Sequence, residues 1–222
     1  MDPGDLRAVE DTAREDGTVP EVLTPDTLLA AYVAGMFPMG LGEDGGPPIG
    51  WWAPRRRGVL RPGELHVSHS LRKSLRRFDT AVDTRFEEVV RACADPSRSG
   101  AWITEGVVRS YVALHAAGHA HSFEVFEKGT GELVGGLYGV ARGGVFAGES
   151  MFHRATDASK VALVALVRLL DAVDDDTPWL VDTQWQTSHL ASLGVSEISG
   201  AAYLRALARA RTGTHSQHFL SE

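Results

Sequence analysis

The sequence predicts a mixed α+β body of two subdomains, divided near residues 95–120. Helix-like periodicity dominates up to about residue 117. Three strand-like runs joined by glycine turns follow, and helix and strand then alternate to the C-terminal end. A chain of 222 residues with 43% hydrophobic content has enough apolar surface for one good core or two small ones.

The elements read as follows. "TPDTLLAAYVAGMFP" is a helix capped near Thr24 or Asp26 and stopped by Gly35 and Pro38. A Gly/Pro-rich loop, "GLGEDGGPPIGWWAP", delivers an adjacent tryptophan pair, and short β-like pieces lie around "GVLRP" and "ELHVS". "SHSLRKSLRRF" is a short helix with Ser68 or Ser70 as its cap, its basic groups spaced to share a side. Helices are expected at roughly 85–94 and 104–117, the second capped by Thr104. "HAHSFEVFEK", "ELVGGLYGVARG" and "GVFAGESMF" form an antiparallel meander with "GTG" and "RGG" turns. A long helix over "DASKVALVALVRLLDAV" begins at Asp157 or Ser159. A short buried strand, "WLVDTQ", a helical segment ended by Gly194 and a final helix, "GAAYLRALARA", complete the chain. Residues 1–20 and 211–222 read as tails.

Charge is unevenly placed. The formal charge of −7 is concentrated in residues 1–26, which alone sum to −6, whereas residues 55–77 carry a local excess of +7. Such a patch suits phosphates, and a solvated surface is the plainer reading. No window approaches 18 uninterrupted apolar residues, and the acidic N-terminus lacks a basic-then-apolar leader pattern, so a cytoplasmic protein with no membrane segment is expected. The single cysteine, Cys93, rules out an internal disulfide framework. His119 and His121 alternate on a strand without a third ligand at a recognisable spacing, so no metal is expected.

Three features carry chemistry. Trp51, Trp52 and Trp102 lie at loop-to-element junctions, where rings stack on a flat ligand or pack into the core. Glu149 interrupts an apolar strand and needs solvent or a cation. Asp182 and Gln184 are two apart on a strand and so share a face, where the carboxylate can accept from the Gln184 side-chain amide and leave its oxygen to orient an amine; a purely structural hydrogen bond is equally legal. No nucleophile elbow and no phosphate-binding glycine loop opening a helix is present, which weighs against an acyl-coenzyme A donor.

"AGMFPMG", "WWAP", "LHVSHSLRKSLRRF", "WIT", "GHAHSFEVF", "ELVGGLYGVARGGVFAGESMF", "ASKVAL" and "VDTQWQTSHLASLG" occur in the order and spacing of the bacterial leucyl/phenylalanyl-tRNA–protein transferases, which the chain resembles from about residue 25 to 205. The resemblance implies a small N-terminal α/β domain (residues 21–100, with the basic helix) and an acetyltransferase-like (GNAT-like) catalytic domain (101–210) built on a mostly antiparallel sheet, between a disordered acidic tail (1–20) and a flexible one (211–222). It also implies transfer of Leu or Phe, with Met as a further candidate, from aminoacyl-tRNA to proteins with N-terminal Arg or Lys, marking them for proteolysis, by a cofactor-free monomer. Asp182 and Gln184 match the acid and amide that handle the acceptor amine. Trp51, Trp52, Trp102, Leu137, Phe146, Glu149, Ser150 and Thr187 match the donor pocket, and Arg72, Lys73, Arg76 and Arg77 match a tRNA-gripping cluster. Departures are Thr183 in place of the commoner cysteine, the bulky Trp185, Leu137 where Met is frequent, and Thr187 where some relatives have Asn. A non-enzymatic module binding tRNA or basic N-termini is the rival reading, as is an N-acyltransferase using acyl-coenzyme A.

Overall fold

A computed structural model describes residues 23–40, 49–97 and 102–220. The acidic segment before residue 23 and the loop at 41–48 lie outside the described residues. Helix α1 (Pro25–Val33) starts at Thr24, whose hydroxyl accepts the Thr27 N–H, with Pro25 in the first turn where its missing N–H costs nothing. The chain then makes a two-stranded antiparallel pair, β1 (Phe37–Gly40) with β2 (Ile49–Trp52), in which Phe37 faces Trp52 and Pro38 faces Trp51.

A seven-stranded sheet takes up most of the remainder, in the order β4-β5-β6-β7-β8-β3-β9. Its members are β3 (Arg56–Leu60), β4 (Phe78–Val82), β5 (Ala120–Glu127), β6 (Leu133–Arg142), β7 (Val145–His153), β8 (Leu180–Gln184) and β9 (Ser196–Ser199). Every neighbouring pair is antiparallel except β7 and β8. The expected meander is β5-β6-β7. Alternation along its strands sends Phe123, Val125 and Leu137 to one face, against α5 (Ala158–Ala172). Ala120, Tyr138 and Val140 go to the other, against α1, α3 (Phe86–Cys93) and α4 (Glu105–Ala116). The sheet is therefore sandwiched by helices, and Cys93 is one of the buried α3 residues.

Several expectations change. "ELHVS" forms no ladder: β3 already has β8 and β9 on its two edges, and the segment is tied to the α6 end by a backbone bond from His66 N–H to the Leu193 carbonyl, beside half-buried Leu65 and Val67. The short helix α2 (His69–Ser74), capped by the Ser68 hydroxyl, ends before Arg76 and Arg77, which lie in the following turn. β3 and β4, read as N-terminal, join the same sheet as β5 to β9, so the sheet runs through the expected boundary at residue 100. The C-terminal residues are not a loose tail as far as residue 220: His215–Leu220 forms a 3₁₀ helix whose Phe219 is buried and stacks on His121 at 4.8 Å. No helix among the described residues is long and apolar enough to cross a membrane.

Helix α6 (Ser188–Ala191) and α7 (Gly200–Ala210) close the fold, capped by Thr187 and Ser199. Gly194, just beyond α6, has φ +100°, and a β-carbon there would collide with the Glu64 carbonyl. Gly194→Ala is expected to lower stability by about 1–3 kcal/mol or more, seen as a lower urea midpoint with unchanged m.

Candidate active site

The site is made by a split in the sheet. β7 and β8 pair only at Val145 with Leu180, Phe146 with Val181 and Ala147 with Asp182, yet β7 continues to His153 and β8 to Gln184. Beyond those pairs the two strands part, and each carries a bulge where they do. In the β6–β7 ladder Tyr138 faces Ser150 and Gly139 faces Gly148, which leaves Glu149 as the extra residue. Across the gap, Gly58 of β3 faces Gln184 and Val59 faces Asp182, so Thr183 is extra on β8. A bulge turns its neighbours off the strict alternation of a strand, and here both turn side chains toward one cleft.

The cleft holds a cavity of about 300 Å³. Its walls are mostly apolar: Leu137, Phe146, Met151, Leu163, Leu166, Val181 and Leu190. Glu149, Ser150, Thr183, Gln184, Thr187 and His189 supply the polar lining.

Two of those polar groups are left incomplete. The Tyr111 hydroxyl donates to Glu149 Oε2 at 2.7 Å, and the Tyr32 and Tyr111 hydroxyls lie 2.7 Å apart, but Glu149 Oε1 is buried without a partner. Burial of the carboxyl outweighs the tyrosine hydroxyls and raises its pKa to about 7, with the charge of Asp182 adding to the shift. Gln184 is 6% exposed, adopts φ +57°, and its Nε2 is likewise buried and unpartnered. Buried polar atoms normally find partners, and these two orphans belong to residues that line one cavity.

The Asp182–Gln184 pairing differs from the expectation. Asp182 is fully buried and does not line the cavity. Its Oδ1 accepts the Arg57 Nε–H at 2.8 Å and the backbone N–H of Gln184 at 2.9 Å, and Oδ2 accepts Arg57 Nη2–H at 2.6 Å and the Tyr203 hydroxyl at 2.8 Å. With four donors in place the carboxylate takes none from the Gln184 side-chain amide. The cause is local: the bulge at Thr183 and the left-handed Gln184 break the two-residue alternation on which a shared face depends. Arg57, 1% exposed, lies between the rings of Phe37 and Tyr203, its Cζ 4.7 and 4.4 Å from their centroids. Burial works against its charge, but the Asp182 carboxylate more than offsets that and the pKa is raised.

The remaining predicted residues divide. Leu137, Phe146, Ser150 and Thr187 line the cavity, and the Thr187 hydroxyl also caps α6 by accepting the Leu190 N–H. The tryptophans do not line it: Trp51 is 2% exposed within the core, Trp52 donates its indole N–H to the Met39 carbonyl, and Trp102 packs on the same core. Arg72, Lys73, Arg76 and Arg77 are all exposed, and Arg77 sits 3.6 Å from Glu127. The basic stretch is less open than its sequence suggests, because Arg56 pairs with Glu197, Arg57 with Asp182 and Arg61 with Glu64. Sequence reasoning missed Arg57, which it counted as surface charge, and Tyr32, Tyr111 and Tyr203, which sit on helix faces where an aromatic ring reads as ordinary core.

The fold and site together define an α+β protein with a small, mostly apolar pocket in a split sheet, lined by a carboxyl and a carboxamide that each keep one unpartnered atom. Comparison with known proteins makes that class specific. The family model described as leucyl/phenylalanyl-tRNA protein transferase matches residues 59–208, and the model of its N-terminal domain matches residues 21–55. The chain belongs to the leucyl/phenylalanyl-tRNA–protein transferase family, and it is a transferase. Its curated relatives of that name include one from Oleidesulfovibrio alaskensis, 48% identical over 82% of this chain and 75% of that protein. Another, from Cereibacter sphaeroides, is 50% identical over 87% and 88%, and one from Stutzerimonas stutzeri is 49% identical over 84% and 80%. The solved structure of L-PGS from Bacillus licheniformis aligns with 83% of this chain and 62% of that one at 11% identity and a TM-score of 0.34, too slight a likeness to carry an argument.

Two outcomes are expected. The folded-state pKa of Glu149 exceeds the ordinary glutamate value, so its neutral form favours the fold at low pH and that contribution is lost as pH rises through about 7. In urea titrations from pH 5 to pH 8 the parent protein should lose stability relative to Glu149→Gln. Asp182→Ala leaves Arg57 buried and unpaired and should cost about 3–5 kcal/mol in the same assay.

Proposed function

We propose that the enzyme transfers leucine or phenylalanine from aminoacyl-tRNA to the α-amino group of proteins beginning with Arg or Lys, acting as a cytoplasmic monomer and marking the product for proteolysis. The observation that carries this reading is the pair of unpartnered polar atoms, Glu149 Oε1 and Gln184 Nε2, at an apolar cavity of about 300 Å³. The aliphatic and aromatic walls receive the donor's side chain. Glu149, on the strand that also supplies Phe146, takes the α-ammonium of the bound residue, and Gln184 aligns the ester carbonyl with the incoming amine.

The reaction needs no redox partner. The acceptor amine attacks the ester carbonyl, a C–N bond forms through a tetrahedral intermediate, and the ribose oxygen of the tRNA leaves as the C–O bond breaks, taking up the proton that the amine gives away. Positioning can account for roughly 7–11 kcal/mol of such a barrier. Asp182 then serves by holding Gln184 rather than by touching substrate. A catalytic domain of acetyltransferase type is favoured by the parting of the parallel neighbours β7 and β8. Arg72, Lys73, Arg76 and Arg77, exposed at the α2 end, are placed to meet tRNA phosphates, and the three tryptophans act as supports of the N-terminal domain.

The deciding experiment is transfer of radiolabelled leucine from Leu-tRNA to peptides differing only in an N-terminal Arg, Lys or Ala. Label on Arg and Lys but not Ala is expected; no label on any peptide while tRNA is still bound would make the protein a binding module. Gln184→Ala should lower kcat by about 10²-fold. Neutralising Arg72 and Arg76 together should instead raise KM for aminoacyl-tRNA and reduce the salt slope by about one for each lost phosphate contact.

A further inference from the structure

Arg57 is a buried cation, 1% exposed, that neither the pocket nor the tRNA face accounts for. A buried ion pair is a weak source of stability, because desolvating both charges costs about what their attraction returns and apolar residues of similar size often do as well. Its retention calls for another reason, and the geometry supplies one. The guanidinium carbon lies over the rings of Phe37 and Tyr203, Nη1 donates to the Gly35 carbonyl at 3.1 Å, and Nη2 donates to the Tyr203 hydroxyl at 3.4 Å. Nε and Nη2 together grip both oxygens of Asp182. The Asp182 oxygen nearest Gln184 is thereby aimed at the Gln184 backbone N–H.

That bond matters because Gln184 is a non-glycine residue at φ +57°, a conformation that persists only where its surroundings impose it. The same Phe37 ring that covers Arg57 meets Trp185 edge-on at 5.1 Å, so the residue after Gln184 is held from the same side. Gly58 completes the arrangement, since a β-carbon there would lie 2.5 Å from the Trp185 carbonyl carbon. Residues 35–37, 57–58, 182–185 and 203 therefore converge on one backbone conformation.

We propose that Arg57 is a positioning residue of the transfer reaction: clamped between Phe37 and Tyr203, it fixes Asp182 and through it the left-handed backbone that presents the Gln184 carboxamide to the cavity. The inference rests on the role given to Gln184 above. It predicts that weakening the clamp lowers turnover by the same route as losing the carboxamide.

The test is a set of single-turnover rates and steady-state constants for Tyr203→Phe and Arg57→Lys, each in the parent and in Gln184→Ala, with folding checked by thermal melting. Tyr203→Phe removes one donor to Asp182 and the acceptor for Arg57 Nη2 but keeps the ring over Arg57; it should lower kcat by about 3–10-fold. Arg57→Lys keeps the charge but loses the planar fork and should lower kcat by roughly 10²-fold. Neither should change KM for aminoacyl-tRNA by more than about twofold, and in Gln184→Ala neither should slow the reaction by more than about twofold further. Equal fold-losses in both backgrounds, or losses confined to KM, would overturn the inference. If Arg57→Lys does not fold, Tyr203→Phe decides alone. Should Gln184→Ala itself leave kcat unchanged, the assigned role of Gln184 falls and the inference with it, an outcome distinct from equal losses.

Discussion

The contact between Arg57 and Asp182 is the constraint around which the rest of the site is arranged. It ties β3 to β8 in the interior of the sheet, and its aromatic covers, Phe37 and Tyr203, come from the first strand pair and the last long helix. Segments from both ends of the chain thus meet at one guanidinium. An apolar contact there would pack as densely but would not set direction. Charge-assisted hydrogen bonds do, because donors and acceptors must line up within tenths of an ångström.

Direction is what the chemistry requires. Aminolysis of an activated ester asks little of acid–base catalysis and much of alignment, so an enzyme for it gains most from holding a carbonyl, an amine and a side chain at fixed angles. The pocket divides that work between two bulges facing each other across the split between β7 and β8. In the proposed reading one bulge carries Glu149, whose burial raises its pKa to about 7, and the other precedes Gln184, whose backbone N–H is bound by Asp182.

Much of this was readable in the sequence where the determinants are local. The caps Thr24, Ser68 and Thr104 announce their helices because a hydroxyl three residues ahead of an orphan N–H acts within a single turn. The meander β5-β6-β7 was legible for the same reason. Illegible were β4 and β9, four or five residues each, whose strand character comes from distant partners, and the burial of Phe219 beneath the sheet. At the site the residue types of Glu149, Asp182 and Gln184 could be picked out, but their relation could not. Alternation predicts a shared face only for a regular strand, and nothing in "VDTQW" signals a bulge or a left-handed glutamine. Arg57 was hidden by its neighbours, since a run of three arginines reads as solvated charge until one of them is found inside.

The position of β3 has a consequence for biogenesis. The strand lies near the start of the chain, at residues 56–60, but both of its neighbours, β8 and β9, come from residues 180–199, and Tyr203 follows only after them. On the ribosome, then, β3 and Arg57 can find these partners only after residues 180–203 have been synthesised. The central meander β5-β6-β7 has its partners close by in sequence, whereas the pairing of β3 with β8 and β9 spans more of the chain. A product ending before residue 180 would lack both neighbours of β3 and the partner of Arg57.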